Sequence, residues 1–256
     1  MISRKELESL AKTIGFNVYQ AEKDYLQHAF LAALYSVSTN EFVFKGGTAL
    51  QKAYGLDRFS EDVDFTFAAS SDPADLLEKA AAELGKFAET ALGKRERKAT
   101  SLSLRLKVKG PLYDGTERST QTIVVEVSLR EALLKKAAAK RIVPLYPDLR
   151  PYVALCMDLQ EVLAEKVRAI MTRDRPRDVY DAWFLLKKGT PFNASEADKK
   201  LAYYGKRFEL AEFNKAVQRK EKIWLPELKA LIRNPPRFEE VYQEILPYFE
   251  NKSASR

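Results

Sequence analysis

Asp62 and Asp64 lie two residues apart in the run Phe59-Ser60-Glu61-Asp62-Val63-Asp64-Phe65. Successive side chains of a strand point to opposite faces, so in an extended chain the two carboxylates share one face while Val63 and Phe65 turn toward a core. Magnesium takes oxygen ligands and combines one or two carboxylates with water and substrate phosphates, which such a pair can supply. Upstream, Lys45-Gly46-Gly47-Thr48 separates the β-prone Glu41-Phe42-Val43-Phe44 from the helix-forming Ala49-Leu50-Gln51-Lys52-Ala53. A glycine turn at a helix start lets backbone come close to a ligand, and the first-turn N–H groups and the positive end of the helix dipole favour phosphate oxygens. Thr48 is suited to cap that helix or to donate its hydroxyl to a phosphate. A third carboxylate is available at Glu126, the only acid in the apolar strand Thr122-Ile123-Val124-Val125-Glu126-Val127-Ser128. Plainer readings stand beside these: an ordinary Gly-Gly turn, a polar loop over 57–62, and an edge residue at Glu126 facing water or a lysine.

The elements that must hold these residues are legible in outline. Ser3 with Glu6 three residues on forms a capping box ahead of a helix over 3–11, and 19–36 is a second helix. Pro73 opens an Ala/Leu/Glu-rich helix running to about Ala91. Two strands follow, 101–108 and 121–129, joined by the Gly/Pro-containing loop 109–115. In the first, Leu102, Leu104, Leu106 and Val108 alternate with Ser103, Arg105 and Lys107, giving one buried face and one basic face. After the 144–151 connector the pattern is helical. The segment 158–172 carries Glu161 and Glu165 one turn apart and Lys166 beside Val162 and Ile170, and 177–188 places Asp178 and Asp181 on one face. Lys166 is a candidate phosphate ligand or an ordinary surface lysine. The two aspartates orient Lys166 or an arginine, accept a proton from an attacking hydroxyl, or serve as first-turn acids that favour the helix dipole. The expected fold class is α+β: a small mixed sheet flanked by helices in residues 1–150, then a helical domain in 151–256 that completes the active site. A frayed tail is expected at 251–256.

The order Gly-Gly-Thr-Ala-Leu, then Arg58-Phe59-Ser60-Glu61-Asp62-Val63-Asp64-Phe65, then a strand carboxylate, resembles the DNA polymerase β-type nucleotidyltransferase superfamily and specifically its AbiEii/AbiGii toxin family. Ala164-Glu165-Lys166-Val167-Arg168-Ala169 is similar to that family's helical Glu-Lys motif, and Arg177-Asp178-Val179-Tyr180-Asp181 to its terminal Arg-Asp-x-x-Asp motif. Glu22-Lys23-Asp24-Tyr25 also matches a segment of these proteins. The likeness touches most of residues 20–186. It departs at the third metal position, where the superfamily more often has aspartate and this chain has the longer Glu126. The resemblance implies an enzyme that moves a nucleotide from an NTP to an acceptor as the toxin of a toxin–antitoxin or abortive-infection pair. It further implies the tRNA 3′ end or another RNA as acceptor, and a cognate antitoxin as partner. Under it, Asp62, Asp64 and Glu126 hold magnesium, or manganese in its place. Lys45, Gly46, Gly47, Thr48, Arg58, Ser60 and Lys166 bind the nucleotide, and Asp178 and Asp181 complete the catalytic set. Adenylylation of a protein hydroxyl, hydrolysis of RNA, and simple nucleic-acid binding without catalysis are the competing readings.

Composition is compatible with each. The 256 residues are 46% hydrophobic and 31% charged, as in globular proteins, with a formal net charge of +7 that suits a polyanionic partner. Eight basic residues against two acids fall between Lys86 and Lys109. Further basic clusters lie at Lys135, Lys136, Lys140 and Arg141, and over 166–177. The single cysteine, Cys156, excludes an intrachain disulfide and a cysteine zinc site, and the single histidine, His28, in an apolar helical run, is expected to be structural. With no apolar stretch of about 20 residues and no signal-peptide core in Met-Ile-Ser-Arg-Lys-Glu-Leu, the expectation is a cytoplasmic protein without a membrane partner.

Overall fold

The Ser3–Glu6 capping box forms as the sequence demands. Glu6 N donates to Ser3 Oγ at 3.3 Å and Ser3 N to Glu6 Oε2 at 2.7 Å, opening α1 (Arg4–Ile14). Asn17 and Gln20 build a second box ahead of α2 (Val18–Val37). The structure is a computed structural model that describes residues 1–130 and 132–253. The chain divides into two compact units, Met1–Met157 and Asp158–Arg256.

The first unit is built on a seven-stranded mixed sheet. Its strands are β1 (Phe42–Lys45), β2 (Asp62–Phe67), β3 (Thr90–Lys98), β4 (Ser101–Val108), β5 (Gln121–Ser128), β6 (Ala138–Ile142) and β7 (Tyr152–Cys156), in the order β3-β4-β5-β2-β1-β7-β6. β2 runs parallel to β5, and β1 parallel to β7; the other neighbours are antiparallel. Leu102, Leu104 and Leu106 of β4, Ile123, Val125 and Val127 of β5, and Val63 and Phe65 of β2 are buried in one core with Leu26 and Phe30 of α2 and Leu77 and Leu84 of α4 (Pro73–Gly85). Two helices, then, cover the apolar face of the strands that carry Asp62, Asp64 and Glu126. α3 (Gly46–Tyr54) follows β1 directly and packs on β1 and β2.

Three strands depart from the sequence expectation. The helix opened by Pro73 ends at Gly85, and Thr90–Lys98 is a strand whose side chains are almost all exposed. Such a charged edge strand gains its order from the neighbour it pairs with, not from its own pattern. β6, also charged and at the opposite edge, is equally silent in sequence. Tyr152–Cys156 lies inside the segment read as wholly helical, yet it forms β7 in the first unit.

The second unit is helical: α5 (Leu159–Thr172), α6 (Pro176–Lys187), α7 (Ala194–Ala202), α8 (Leu210–Gln218), α9 (Glu221–Leu228), α10 (Phe238–Ile245) and α11 (Pro247–Ser253). Phe192, Phe208, Phe213 and Phe249 meet in one aromatic cluster with ring centroids 4.4–6.0 Å apart. Of the tail expected to fray over 251–256, residues 251–253 continue α11 and residues 254–256 lie outside the described residues. Among the described residues no helix is long and apolar enough to cross a membrane.

A buried polar knot ties α2 to α3 in the first unit. Asp24 accepts from Lys52 Nζ at 2.7 Å, Gln51 Nε2 at 2.7 Å and the Tyr146 hydroxyl at 2.9 Å, and His28 Nε2 stands 3.8 Å away. Tyr152 meets the other ring nitrogen of His28 at 2.9 Å. Burial, with the Lys52 ammonium alongside, pushes the His28 imidazole down to about 3, although Asp24 pulls the other way. The native ring therefore stays neutral where the unfolded ring, near 6.5, already takes a proton. Stability present above pH 6.5 is lost as the pH falls, by about 2 kcal/mol at pH 5. Urea denaturation at pH 7 and pH 5 is expected to show this loss in the native chain and a smaller one in His28→Gln; equal losses would contradict it.

Candidate active site

The parallel register of β2 and β5 pairs Asp62 with Val124 and Asp64 with Glu126. Because side chains alternate, Asp62, Asp64 and Glu126 stand on one face of the sheet, opposite the apolar face formed by Val63, Phe65, Val125 and Val127. All three acids are half-buried. β5 lies between β4 and β2, so Glu126 is a central-strand residue and not an edge acid; Ser103 Oγ of β4 donates to its Oε1 at 2.8 Å. On the other side of β2, the β1 register sets Lys45 opposite Asp64.

Both glycines lie against side chains of the site. Gly46 has φ +73°, a left-handed conformation that favours glycine, and a Cβ there would collide with Asp64 Oδ2 and lie 3.0 Å from its Cγ. At Gly47 a Cβ would run into the Arg58 guanidinium and approach Ser60 Oγ to 2.8 Å. Backbone at the start of α3 is thus pressed against one carboxylate and against the loop 57–61. Arg58 and Ser60 are buried. Two residues that sequence reasoning did not single out hold this loop: Gln27 Nε2 donates to the Ser60 and Glu61 carbonyls at 3.0 and 2.8 Å, and Gln51 Oε1 accepts from Ser60 N at 3.1 Å. Neither glutamine carries a local sequence signal, because the partners lie 33, 34 and 9 residues away.

Thr48 differs from expectation. α3 begins at Gly46 with Lys45 at the N-cap position, and the Thr48 side chain does not cap it. Its hydroxyl is buried and donates to the Asp62 carbonyl, fastening the helix start to β2.

In the second unit, Lys166 is buried and is not a surface lysine. Its ammonium lies 3.1 Å from Asp178 Oδ1 and 2.6 Å from Asp181 Oδ2. Arg173 Nε and Nη2 grip Asp178 at 2.7 and 2.9 Å. Burial pushes the Asp178 carboxyl up, but Lys166 and Arg173 outweigh it and hold the group well below the usual carboxylate range. Asp178 and Asp181 together hold the Lys166 ammonium. Beside it, Lys200, only 1% exposed, bridges Glu161 at 2.7 Å and Glu165 at 3.2 Å. Lys200 had no sequence signal, lying 35–39 residues from its partners.

Among the described residues, no three or more His, Cys, Asp or Glu side chains converge as a preformed metal cage. The donor set at Asp62 and Asp64 is all-oxygen on one sheet face. That fits an ion which draws its remaining ligands from water and substrate phosphates, and suits magnesium better than a thiolate- or imidazole-binding metal.

The chain matches the family model described as nucleotidyl transferase AbiEii toxin of type IV toxin–antitoxin systems over residues 29–245. It belongs to that family. It is therefore a nucleotidyltransferase toxin of the type IV class. The fold is shared with JHP933 from Helicobacter pylori (21% identity, TM-score 0.62, covering 92% of this chain and 95% of that one). It is shared too with the nucleotidyltransferase toxin MenT4 of Mycobacterium tuberculosis (18% identity, TM-score 0.69, 97% and 89%). No curated protein matches the chain.

Gly46→Ala in this AbiEii-family chain is expected to cost more than about 1 kcal/mol, since it adds both a strained φ and a clash. Gly85→Ala, at the end of α4 with nothing within 4 Å of the new methyl, is expected to be neutral or stabilising by up to about 1 kcal/mol. Chemical denaturation of both decides; equal effects would remove the close approach as the reason for Gly46.

Proposed function

We propose that this toxin transfers a nucleotidyl group from an NTP to a hydroxyl of an RNA, with the tRNA 3′ end as acceptor and a cognate antitoxin as its cellular counterpart. The observation that carries the reading is the row Lys45–Asp64–Glu126 across β1, β2 and β5, with the Gly46 backbone against Asp64. Asp62 and Asp64 would hold magnesium; Glu126, expected from the resemblance as a third ligand, is given the proton-accepting role here because Ser103 holds one of its oxygens. When bound, the ion offsets charge on the phosphates and on the attacking oxygen.

The chain's own groups do the rest. Backbone N–H groups at Gly46 and Gly47 receive phosphate oxygens at the positive end of α3. Lys45 and Arg58 balance negative charge as the α–β phosphate bond breaks. The acceptor oxygen forms its bond to the α-phosphorus, the bridging oxygen departs with pyrophosphate, and the hydroxyl proton passes to Glu126. Ser103 holds Glu126 Oε1, which leaves Oε2 as the accepting atom. Lys166, fixed by Asp178 and Asp181, is a second nucleotide-binding candidate, and its two acid partners fix its orientation in place of acting on the proton themselves.

The test is incubation of the purified protein with magnesium, each labelled NTP in turn and total tRNA, resolved on a denaturing gel beside Asp64→Asn. Label is expected in tRNA from one NTP, reduced about 100-fold or more in the variant. Full activity in Asp64→Asn would overturn the role of the carboxylates. Label confined to protein would move the acceptor to a side chain, and RNA that shortens would indicate hydrolysis.

A further inference from the structure

The basic stretch between Lys86 and Lys109 is divided by the sheet into two groups with different tasks. On β3, Arg95 and Arg97 pair in register with Leu104 and Leu102, on the side that packs against α4. There Arg95 meets Glu78 at 2.8 Å and Arg97 meets Asp72 at 2.6 Å, so both guanidiniums are engaged with the helix and its cap. On β4 the opposite face carries Ser103, Arg105 and Lys107, and the register sets these beside Glu126, Val124 and Thr122 of β5. β5 in turn sets Val124 beside Asp62 and Glu126 beside Asp64. Arg105 and Lys107 therefore stand on the same face as the carboxylates, on the strand beside Glu126; Arg105 is two strands, about 10 Å at ordinary strand spacing, from Asp62, and Lys107 lies two residues further along β4.

We propose that this open β4–β5 face seats the sugar-phosphate backbone of the RNA acceptor, with Arg105 and Lys107 as its phosphate contacts; the proposal rests on the transfer reading above. Both side chains are exposed. Arg105 makes no ion pair within 4 Å among the described residues; Glu96 of β3, on this same face beside Ser103, is paired with Lys94 and attracts Arg105 only at longer range. Lys107 has the solvent-exposed Glu117 at 2.9 Å, a pair that a phosphate displaces at little cost. Spaced i, i+2 on one strand, the two cations lie about 7 Å apart, suited to successive charges of an extended polyanion more than to one small anion. Between them and the acids lie Thr122, Val124 and Ser103, short side chains that leave the face low. Lys98 extends the charge onto β3 opposite Ser101, on this same face.

The experiment measures binding of unfractionated tRNA by fluorescence anisotropy over a salt series, without nucleotide, so that it does not depend on catalysis. Arg105→Ser/Lys107→Ser is expected to weaken binding about tenfold or more at low salt and to make the slope of log affinity against log salt shallower by about 2. Stabilisation of the same variant by NTP and magnesium in thermal melts is expected to match the native chain. Arg95→Ser/Arg97→Ser removes equal charge from the other face and is expected to alter RNA binding far less; its melting curve reports whether it folds. The proposal is overturned if Arg105→Ser/Lys107→Ser binds tRNA like the native chain, if the two double variants weaken binding equally, or if the native chain binds no RNA and only an acidic protein contacts this face. Loss of RNA binding in Arg105→Ser/Lys107→Ser alongside full transfer by Asp64→Asn would keep the surface and remove the carboxylate mechanism, which separates the two failures.

Discussion

Gly46 lies so near the Asp64 carboxylate that a methyl group on it would collide with Oδ2, and this closeness fixes how α3 meets β2. It brings the start of α3 onto β2, and the β2–β5 register then sets Glu126 beside Asp64. Thr48 repeats the tie two residues on by donating to the Asp62 carbonyl, while Gln27 and Gln51 also hold the loop 57–61. The apolar side of the same strands is filled by α2 and α4, so the acids have only one face to occupy. A shift of one residue in the β2 register would move Asp62 and Asp64 into the core, which is why the alternation is so strongly specified.

The second unit depends on buried charge. Lys166, Asp178, Asp181 and Arg173 form one network, and Lys200 with Glu161 and Glu165 another, both reached from α5. Lys220, fully buried, adds a third by donating to the carbonyls of Ile170 and Ala216 at 2.8 Å each. Ion pairs in such places contribute little net stability, because desolvation offsets most of their attraction, but removing one partner leaves an uncompensated charge. Their effect is to fix where each long side chain points. Lys166 is held in one orientation by two acids from the first two turns of α6, a different state from that of a lysine roaming the surface.

How much of this was legible in the sequence follows the range of the interactions. The capping box at Ser3, the alternation in Ser101–Val108, the shared face of Asp62 and Asp64 and the helix that places Asp178 near Asp181 are local patterns, and the structure realises each. The edge strands β3 and β6 were not legible, because a charged and exposed segment such as Thr-Ala-Leu-Gly-Lys-Arg-Glu-Arg-Lys takes its conformation from the strand beside it. β7 is only five residues long and joins the sheet by parallel pairing with β1, a contact more than a hundred residues away in sequence. The site shows the same division. Its acids and glycines were visible, whereas Gln27, Gln51, Ser103 and Lys200 act on partners set by the tertiary fold. Thr48 was visible, but that its side chain does not cap α3 was not, since local pattern cannot tell a capping hydroxyl from one that bonds a neighbouring strand.

The central claim is that Asp62 and Asp64 form the metal-binding edge of a nucleotide site whose phosphate seat is the backbone at Gly46 and Gly47. The most direct measurement is a crystal structure of the protein with manganese and a non-hydrolysable NTP, using the anomalous signal of manganese to locate the ion. The account predicts an anomalous peak within ligand distance of both Asp62 and Asp64, with triphosphate oxygens against the Gly46 and Gly47 N–H groups. Nucleotide and manganese bound elsewhere, with that sheet face holding only water, would contradict it.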